Sequence, residues 1–437
     1  MPEISSPKPI LALSALIFGH FLNHFYAYIL GAAMVIIRLP QHLNLTDPQV
    51  GLLATIQMIV FAVFSIAAGI VSDKWLKSKN LFVPLGVLLM AAHLFIAAYA
   101  QSMILLIISA ISIGFGASFY HPVAYASIAD LYEEKKGLTM AMNAALGMIG
   151  TSIAPALAVT FDRIMGWRNF FIMIGGIAIG LSIILYFAFQ YLISYKFTEE
   201  EITEKQKRKD TMNSRERVKN WFRKELLVIL TIAVIVCLFY SSFRSGIFRI
   251  TNQWLSIIFV DLYSYTEVAA GVITTIILVI GGLTAIIGGV VSDKYSTSIT
   301  MLVSLGGSAV ILLLIFFLGS ALPGMAVIAL YFVFIAFLYF SAAASTKYVA
   351  ENVPQGSRAT GISFLFAVPS TIASFFPWIF GIVKERTDDI WAIGFLFILA
   401  ILGTLMALIL FLRDLKLGQI FKKKEEKEII IVNDTIP

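Results

Sequence analysis

Charge is scarce in this chain. Only 13% of its 437 residues are charged, whereas a soluble domain usually carries about 25%. Hydrophobic residues make up 59%, and the mean hydropathy is +0.89. No soluble core can absorb that much apolar surface, so the composition predicts a polytopic membrane protein. Cysteine is nearly absent too. The one cysteine, Cys237, lies in an apolar run, which excludes an internal disulfide and argues against a cysteine-based metal site. Carboxylates are missing from the middle of the apolar runs: Asp47, Asp73, Asp130, Asp162, Glu225, Glu267, Asp293 and Glu351 all fall near their ends. There is no phosphate-cradling G-x-x-x-x-G-K and no nucleophile elbow, which speaks against transport driven by direct hydrolysis. The histidines are dispersed and have no mid-run acid beside them, which argues against a membrane-embedded enzyme. Nor is there a cleavable signal pattern, because the segment before the first long run is only Met1 to Pro9.

Long apolar runs are abundant. A spanning helix needs roughly 20 mainly apolar residues. Twelve stretches qualify: 11–37, 49–71, 81–100, 103–129, 138–161, 169–193, 225–259, 267–291, 299–321, 324–349, 359–383 and 391–412. With the N-terminus inside, most of the 32 Lys and Arg fall on inside segments. These include Lys74, Lys77 and Lys79, the charged stretch Lys196 to Lys224, and the tail with Lys422, Lys423 and Lys424. By the positive-inside rule both termini are expected to be cytoplasmic, in a cell membrane. The net charge of +6 is then loop bias rather than a sign of nucleic-acid binding. The expected organisation is a six-helix bundle over 1–193, a cytoplasmic linker over 194–223 with a short surface helix near Arg215 to Phe222, a second bundle over 224–412, and a mobile tail over 413–437.

The two halves repeat. Gly69-Ile70-Val71-Ser72-Asp73-Lys74 returns as Gly289-Val290-Val291-Ser292-Asp293-Lys294, an offset of 220. The same offset relates Thr46 to Thr266, Gly51 to Gly271, and His24 to Arg244. Because six spans lie between the copies, the halves share one topology and are related by an axis along the membrane normal.

Twelve spans in two parallel halves, with G-x-x-x-D-K after the second span of each, resemble the major facilitator superfamily. The resemblance implies an all-α membrane protein of two six-helix bundles related by a parallel pseudo-two-fold. It also implies gating roles for Gly69, Asp73 and Lys74 and for Gly289, Asp293 and Lys294. The usual Gly and basic pair after the motif are replaced by Trp75-Leu76-Lys77 and Tyr295-Ser296-Thr297. His20-Phe21-Leu22-Asn23-His24, Leu45-Thr46-Asp47-Pro48-Gln49-Val50-Gly51, Gly114-Phe115-Gly116-Ala117-Ser118-Phe119-Tyr120-His121-Pro122 and Phe243-Arg244-Ser245 look like the fosmidomycin-resistance branch of drug efflux proteins. His24 stands where that branch commonly has an acid, and Ala110 and Ile113 replace the Arg and Gln of the drug-antiporter pattern. Gly150-Thr151-Ser152-Ile153-Ala154-Pro155 resembles the antiporter motif of span five.

Polar groups at membrane depth are costly and mark candidate sites. His20 and His24 are four apart and share a helix face that Asn23 adjoins. A hydrogen-bonded histidine between helices explains either as well as function does. The pair lacks the glutamate of H-E-x-x-H, so no metal and no cofactor is expected. Arg244 offers a planar fork for a carboxylate or phosphonate and is expected to bind an anionic substrate group. Arg249, five residues on, is explained as well by snorkelling. His121, beside the expected bend at Pro122, is a candidate for proton coupling with His20 and His24, and Tyr120 is a candidate for the cavity lining. Gly147, Gly150 and Pro155 read as a hinge in span five. Lys347 and Glu351 read as a surface pair.

The expected activity is secondary active transport of a small organic anion or drug-like solute by alternating access, with proton-coupled efflux. An importer or facilitator of a metabolite anion is the alternative. The expected partners are the substrate, protons and the bilayer, with the protein a monomer.

Overall fold

A computed structural model describes residues 3–74, 80–132, 136–196, 231–353 and 358–418. The basic turn at 75–79, the expected surface helix near 215–222 and most of the tail lie outside the described residues.

The described chain is helical but for one short pairing. The helices are α1 (Pro9–Ile37), α2 (Asp47–Lys74), α3 (Phe82–Ala98), α4 (Met103–Ala117), α5 (Tyr120–Leu131), α6 (Lys136–Met165), α7 (Trp167–Leu192) and α8 (Ile232–Asp261). They continue with α9 (Glu267–Lys294), α10 (Thr297–Leu318), α11 (Gly324–Phe340), α12 (Ala344–Asn352), α13 (Arg358–Ser374), α14 (Phe376–Arg386) and α15 (Asp389–Lys416). Among the described residues, eleven stretches are long and apolar enough to cross a membrane, and α3 is a shorter apolar helix. Large apolar side chains stay exposed along the helices, as at Ile104, Ile184, Phe187 and Phe317, which suits a lipid-facing belt. Two strands were not expected: β1 (Glu3–Ser5) pairs antiparallel with β2 (Ser194–Lys196), tying the chain start to the first residues of the expected linker.

Local chemistry sets the helix starts. Thr46 opens α2 with half of a capping box: the Gln49 side chain accepts its backbone N–H at 2.9 Å. Thr266 opens α9 with the other half, its hydroxyl accepting the Ala269 N–H at 3.3 Å. Each helix then begins on an acid, Asp47 or Glu267, at the positive end of the helix dipole. Both helices are 28 residues long, and their bounds differ by the 220 residues of the sequence repeat. The turn from α6 to α7 is the single residue Gly166, at φ +79°, where a side chain would be strained.

Three expected spans are broken. Span four splits into α4 and α5 at Ser118–Phe119, span ten into α11 and α12, and span eleven into α13 and α14. The expected bend at Pro122 is displaced. Pro122 is the third residue of α5, in the first turn, where a missing N–H leaves nothing unpaired. The break precedes it, and the Asn23 amide reaches into the break, donating to the Ala117 carbonyl at 3.2 Å. The last helix also runs on into the expected tail, as far as Lys416.

The chain forms two compact units. One holds Met1–Trp221, Arg249–Val279 and Ser374–Arg386, and the other Phe222–Phe248, Ile280–Ala373 and Thr387–Pro437. In the first, α1 packs along α6, α3 along α4 and α7, and α2 along α4 and α14. In the second, α10 packs between α11 and α15.

Candidate functional site

In the first unit, His20, His24 and His121 come together, their candidate ligand atoms all within 4.8 Å of one another. Helix periodicity puts His20 and His24 side by side on α1. The break after α4 re-aims the chain so that His121, on the first turn of α5, meets both. The ring centroids lie 4.6 Å apart for His20 and His24, 5.2 Å for His20 and His121, and 5.6 Å for His24 and His121, with each pair of rings near perpendicular. His20 is buried, and its Nδ1 lies 2.6 Å from the Asn143 carbonyl oxygen, so Nδ1 carries the proton and donates. Nε2 of the same ring is buried with no hydrogen-bond partner. His24 Nδ1 is 3.0 Å from the Thr151 hydroxyl, which itself donates to the Gly147 carbonyl. Tyr120 stacks on His20 at 4.7 Å, and its hydroxyl donates to the Leu16 carbonyl at 2.8 Å.

The residues expected to form a hinge have a visible contact role. A Cβ on Gly147 would stand 2.7 Å from the His20 ring, and one on Gly150 would stand 2.4 Å from the Phe21 carbonyl. These glycines let α6 approach α1 closely. Pro155 lies inside a continuous α6. One residue further on, the Ala156 N–H donates to the Thr275 hydroxyl at 3.0 Å.

Arg244 lies on α8 in the second unit, away from that cluster in the chain. Its guanidinium sits beside Tyr240 and Tyr339. Nε is shut off from solvent with no hydrogen-bond partner, and no carboxylate among the described residues pairs with Arg244. Tyr240 is itself held by the Ser341 hydroxyl at 2.7 Å. Arg249 belongs to the first unit. Instead of snorkelling it donates to the Met58 sulfur and lines a cavity with Tyr28, Gln57, Gln253 and Pro377. That cavity, about 20 Å³, has room for one water. A search for titratable groups alone passes over Gln57 and Gln253; two amides within apolar runs were the available signal.

One feature of the first unit was not legible at all. Lys384 Nζ lies 2.8 Å from a carboxylate oxygen of Asp47 and 2.8 Å from one of Asp261. Arg38 pairs with Asp261 and stands 3.7 Å from Asp47. Two cations and two anions thus join the ends of α1, α2, α8 and α14.

Of the gating residues, Gly69, Asp73, Lys74 and Asp293 lie on helices with side chains outside the described residues. A Cβ on Gly289 would meet nothing within 4 Å, and Lys294 is exposed, 5.7 Å from the Tyr295 ring. Lys347 donates to the Ser292 carbonyl, and Glu351 accepts from the Thr297 hydroxyl at 2.9 Å, so both serve the junction of α9 and α10.

Among solved structures, the chain is similar to a bacterial homolog of the human lysosomal transporter Spinster in an inward-facing, unoccupied conformation. The TM-score is 0.76 and the identity 15%, over 93% of this chain and 98% of that one. It is also similar to a D-xylose–proton symporter, with a TM-score of 0.67 and 15% identity over 92% of this chain and 96% of that one. Among curated proteins it is 24% identical over 173 residues to a probable L-galactonate transporter of Escherichia coli (strain K12), covering 39% of this chain and 37% of that protein. It is 24% identical over 174 residues to a probable sulfoacetate transporter of Cupriavidus necator, covering 39% of this chain and 40% of that protein. The chain thus spans about two-fifths of the length of these curated relatives, and neither is named as a resistance protein. The match to the Major Facilitator Superfamily covers residues 16–377, most of the chain, and the likeness to solved structures carries the same all-helical fold over nearly its full length. This chain belongs to the Major Facilitator Superfamily.

Proposed function

We propose that this protein is a secondary transporter that carries a small organic anion by alternating access, with Arg244 as the group that binds the anion. The observation carrying this reading is the guanidinium on α8 with an unpartnered, solvent-free Nε and no carboxylate paired with it among the described residues. A fixed cation at membrane depth costs several kcal/mol unless something compensates it. A substrate carboxylate or sulfonate supplies that compensation in a fork geometry that matches guanidinium. Tyr240 and Tyr339 beside it offer hydroxyls for further polar contacts. The names of the two curated relatives, a galactonate and a sulfoacetate transporter, support an anionic cargo and favour a metabolite over a drug.

On this reading the halves 1–193 and 224–412 rock about a midplane site, with both termini cytoplasmic. The drive is an ion gradient, since the sequence holds no nucleotide-hydrolysing module. Outward movement by proton exchange is the specific form proposed. Uptake or facilitated passage of a metabolite anion is the second reading, for which the relatives' names support the cargo.

The test is counterflow in proteoliposomes with a panel of sugar acids and sulfonates, on wild type and Arg244→Ala. Loss of a charge-assisted bond worth about 1.5–3 kcal/mol should weaken apparent affinity by about 10–100-fold while the protein stays folded. Arg244→Lys should recover little, because an ammonium cannot bind in a bidentate way. Unchanged flux and affinity in Arg244→Ala would remove the assignment. Flux that ignores an imposed pH gradient would remove proton exchange and leave the anion site standing.

A further inference from the structure

The imidazole cluster of the first unit has a property that anion binding does not use. We propose that His20, His24 and His121 form a binding site for a late first-row divalent cation of the zinc class, with three imidazole nitrogens as ligands and one position left open.

Three observations carry it. The candidate ligand atoms of the three rings lie within 4.8 Å of one another, so modest side-chain rotation brings each to the roughly 2.1 Å that zinc requires. Nε2 of His20, a buried side chain, has no hydrogen-bond partner, and Nδ1 of the same ring donates to the Asn143 carbonyl at 2.6 Å. That leaves the Nε2 lone pair with no donor facing it in a place water does not reach, a cost that a metal ion removes. The third observation is the outer shell. A ligating histidine usually anchors its other nitrogen on a carbonyl or similar acceptor, which fixes tautomer and orientation. His20 has the Asn143 carbonyl and His24 has the Thr151 hydroxyl at 3.0 Å, itself oriented by the Gly147 carbonyl. The donor set of neutral imidazoles without carboxylates suits zinc, copper or nickel and not magnesium or calcium. The aromatic walls, Tyr120 at 4.7 Å from His20, Phe61 at 5.6 Å and Tyr125 at 5.9 Å from His121, offer no competing charge. The sequence conceals the site, because His121 is 97 residues from His24 and joins only through the break between α4 and α5.

The experiment is equilibrium dialysis of tag-free, full-length protein in detergent against Zn²⁺ and Co²⁺. It is run alongside His24→Gln, His121→Gln and, as a control, His42→Gln, whose side chain meets Trp167 instead of the cluster. Wild type and the control should bind one equivalent, and each cluster variant should bind at least about 10-fold more weakly. Thr151→Val should lose about 10-fold by unseating His24. Melting curves check that the variants fold. Cu²⁺ bound to wild type gives a readout that needs no variant, since nitrogen hyperfine splitting in its electron paramagnetic resonance spectrum counts coordinated imidazoles. Three are expected. Absence of stoichiometric binding in wild type, a nitrogen count below three, or binding equal in wild type and both cluster variants would overturn the proposal.

Discussion

At the scale of single residues, contact and charge decide different things. Gly150, read from the sequence as part of a hinge, and Gly176 are both helical glycines. In the structure a Cβ on Gly150 would stand 2.4 Å from the Phe21 carbonyl of α1, while one on Gly176 would meet nothing within 4 Å. Backbone cannot yield as a flexible side chain can, so Gly150→Ala should cost about 1–3 kcal/mol through overpacking. Gly176→Ala should be neutral or stabilising by up to about 1 kcal/mol, since alanine is the better helix former. Melting temperatures in one detergent check this; equal values for the two variants would sink it. The histidines show how far residue-level reading reaches. His20 and His24 announce a shared face by their spacing. Their union with His121, and the glycines that bring α6 against them, depend on packing that no spacing encodes.

At the scale of elements, the repeat proves more literal than the motif alone suggested. Gly51 of α2 packs on Pro377 and Trp378 of α14, and Gly271 of α9 packs on Pro155 and Val159 of α6. The threonines one turn further on repeat the arrangement. The Thr55 hydroxyl donates to the Ser374 carbonyl at 2.6 Å, and the Thr275 hydroxyl accepts from the Ala156 N–H at 3.0 Å. Each hydroxyl serves a backbone group within three residues of a proline, Pro377 in one case and Pro155 in the other. Thr55→Val and Thr275→Val should therefore each lower stability by about 1 kcal/mol, the worth of one such bond, with similar falls in melting temperature. A fall confined to one of the two would show that the repeat is not mirrored in the energetics. The twelve apolar runs were legible because lipid demands them, and the pairing of Thr46 with Thr266 because the repeat carries it. The break at Ser118–Phe119 was not. Pro122 drew attention to itself, yet a proline in a first turn disturbs nothing, and the actual break is held by Asn23 from another helix.

At the scale of the whole molecule, the ion cluster and the small cavity belong to one design within the first unit. Arg38, Asp47 and Lys384 each stand seven residues, two helical turns, from the cavity residues Gly31, Ala54 and Pro377 on the same helices, and Asp261 stands eight from Gln253. Four helix ends are clamped about 10 Å beyond the cavity, on the outer side in the proposed orientation. The cluster is electrically balanced, two cations against two anions, and Lys384 bridges both carboxylates. Lys384→Met removes that bridge and leaves two partly buried carboxylates facing Arg38 alone. Removing one partner of a buried pair typically costs 3–5 kcal/mol, and separation of the helix ends relieves it. Cys237 is the one native cysteine and can be replaced by serine, so a probe cysteine at Ala54 reports on the cavity without interference. A membrane-impermeant maleimide added from outside should label Ala54→Cys slowly in the otherwise intact protein and at least about 10-fold faster with Lys384→Met. Equal labelling in folded protein would mean that the four charges do not hold the outer ends together, and that closure there rests on the apolar packing of α2 against α14.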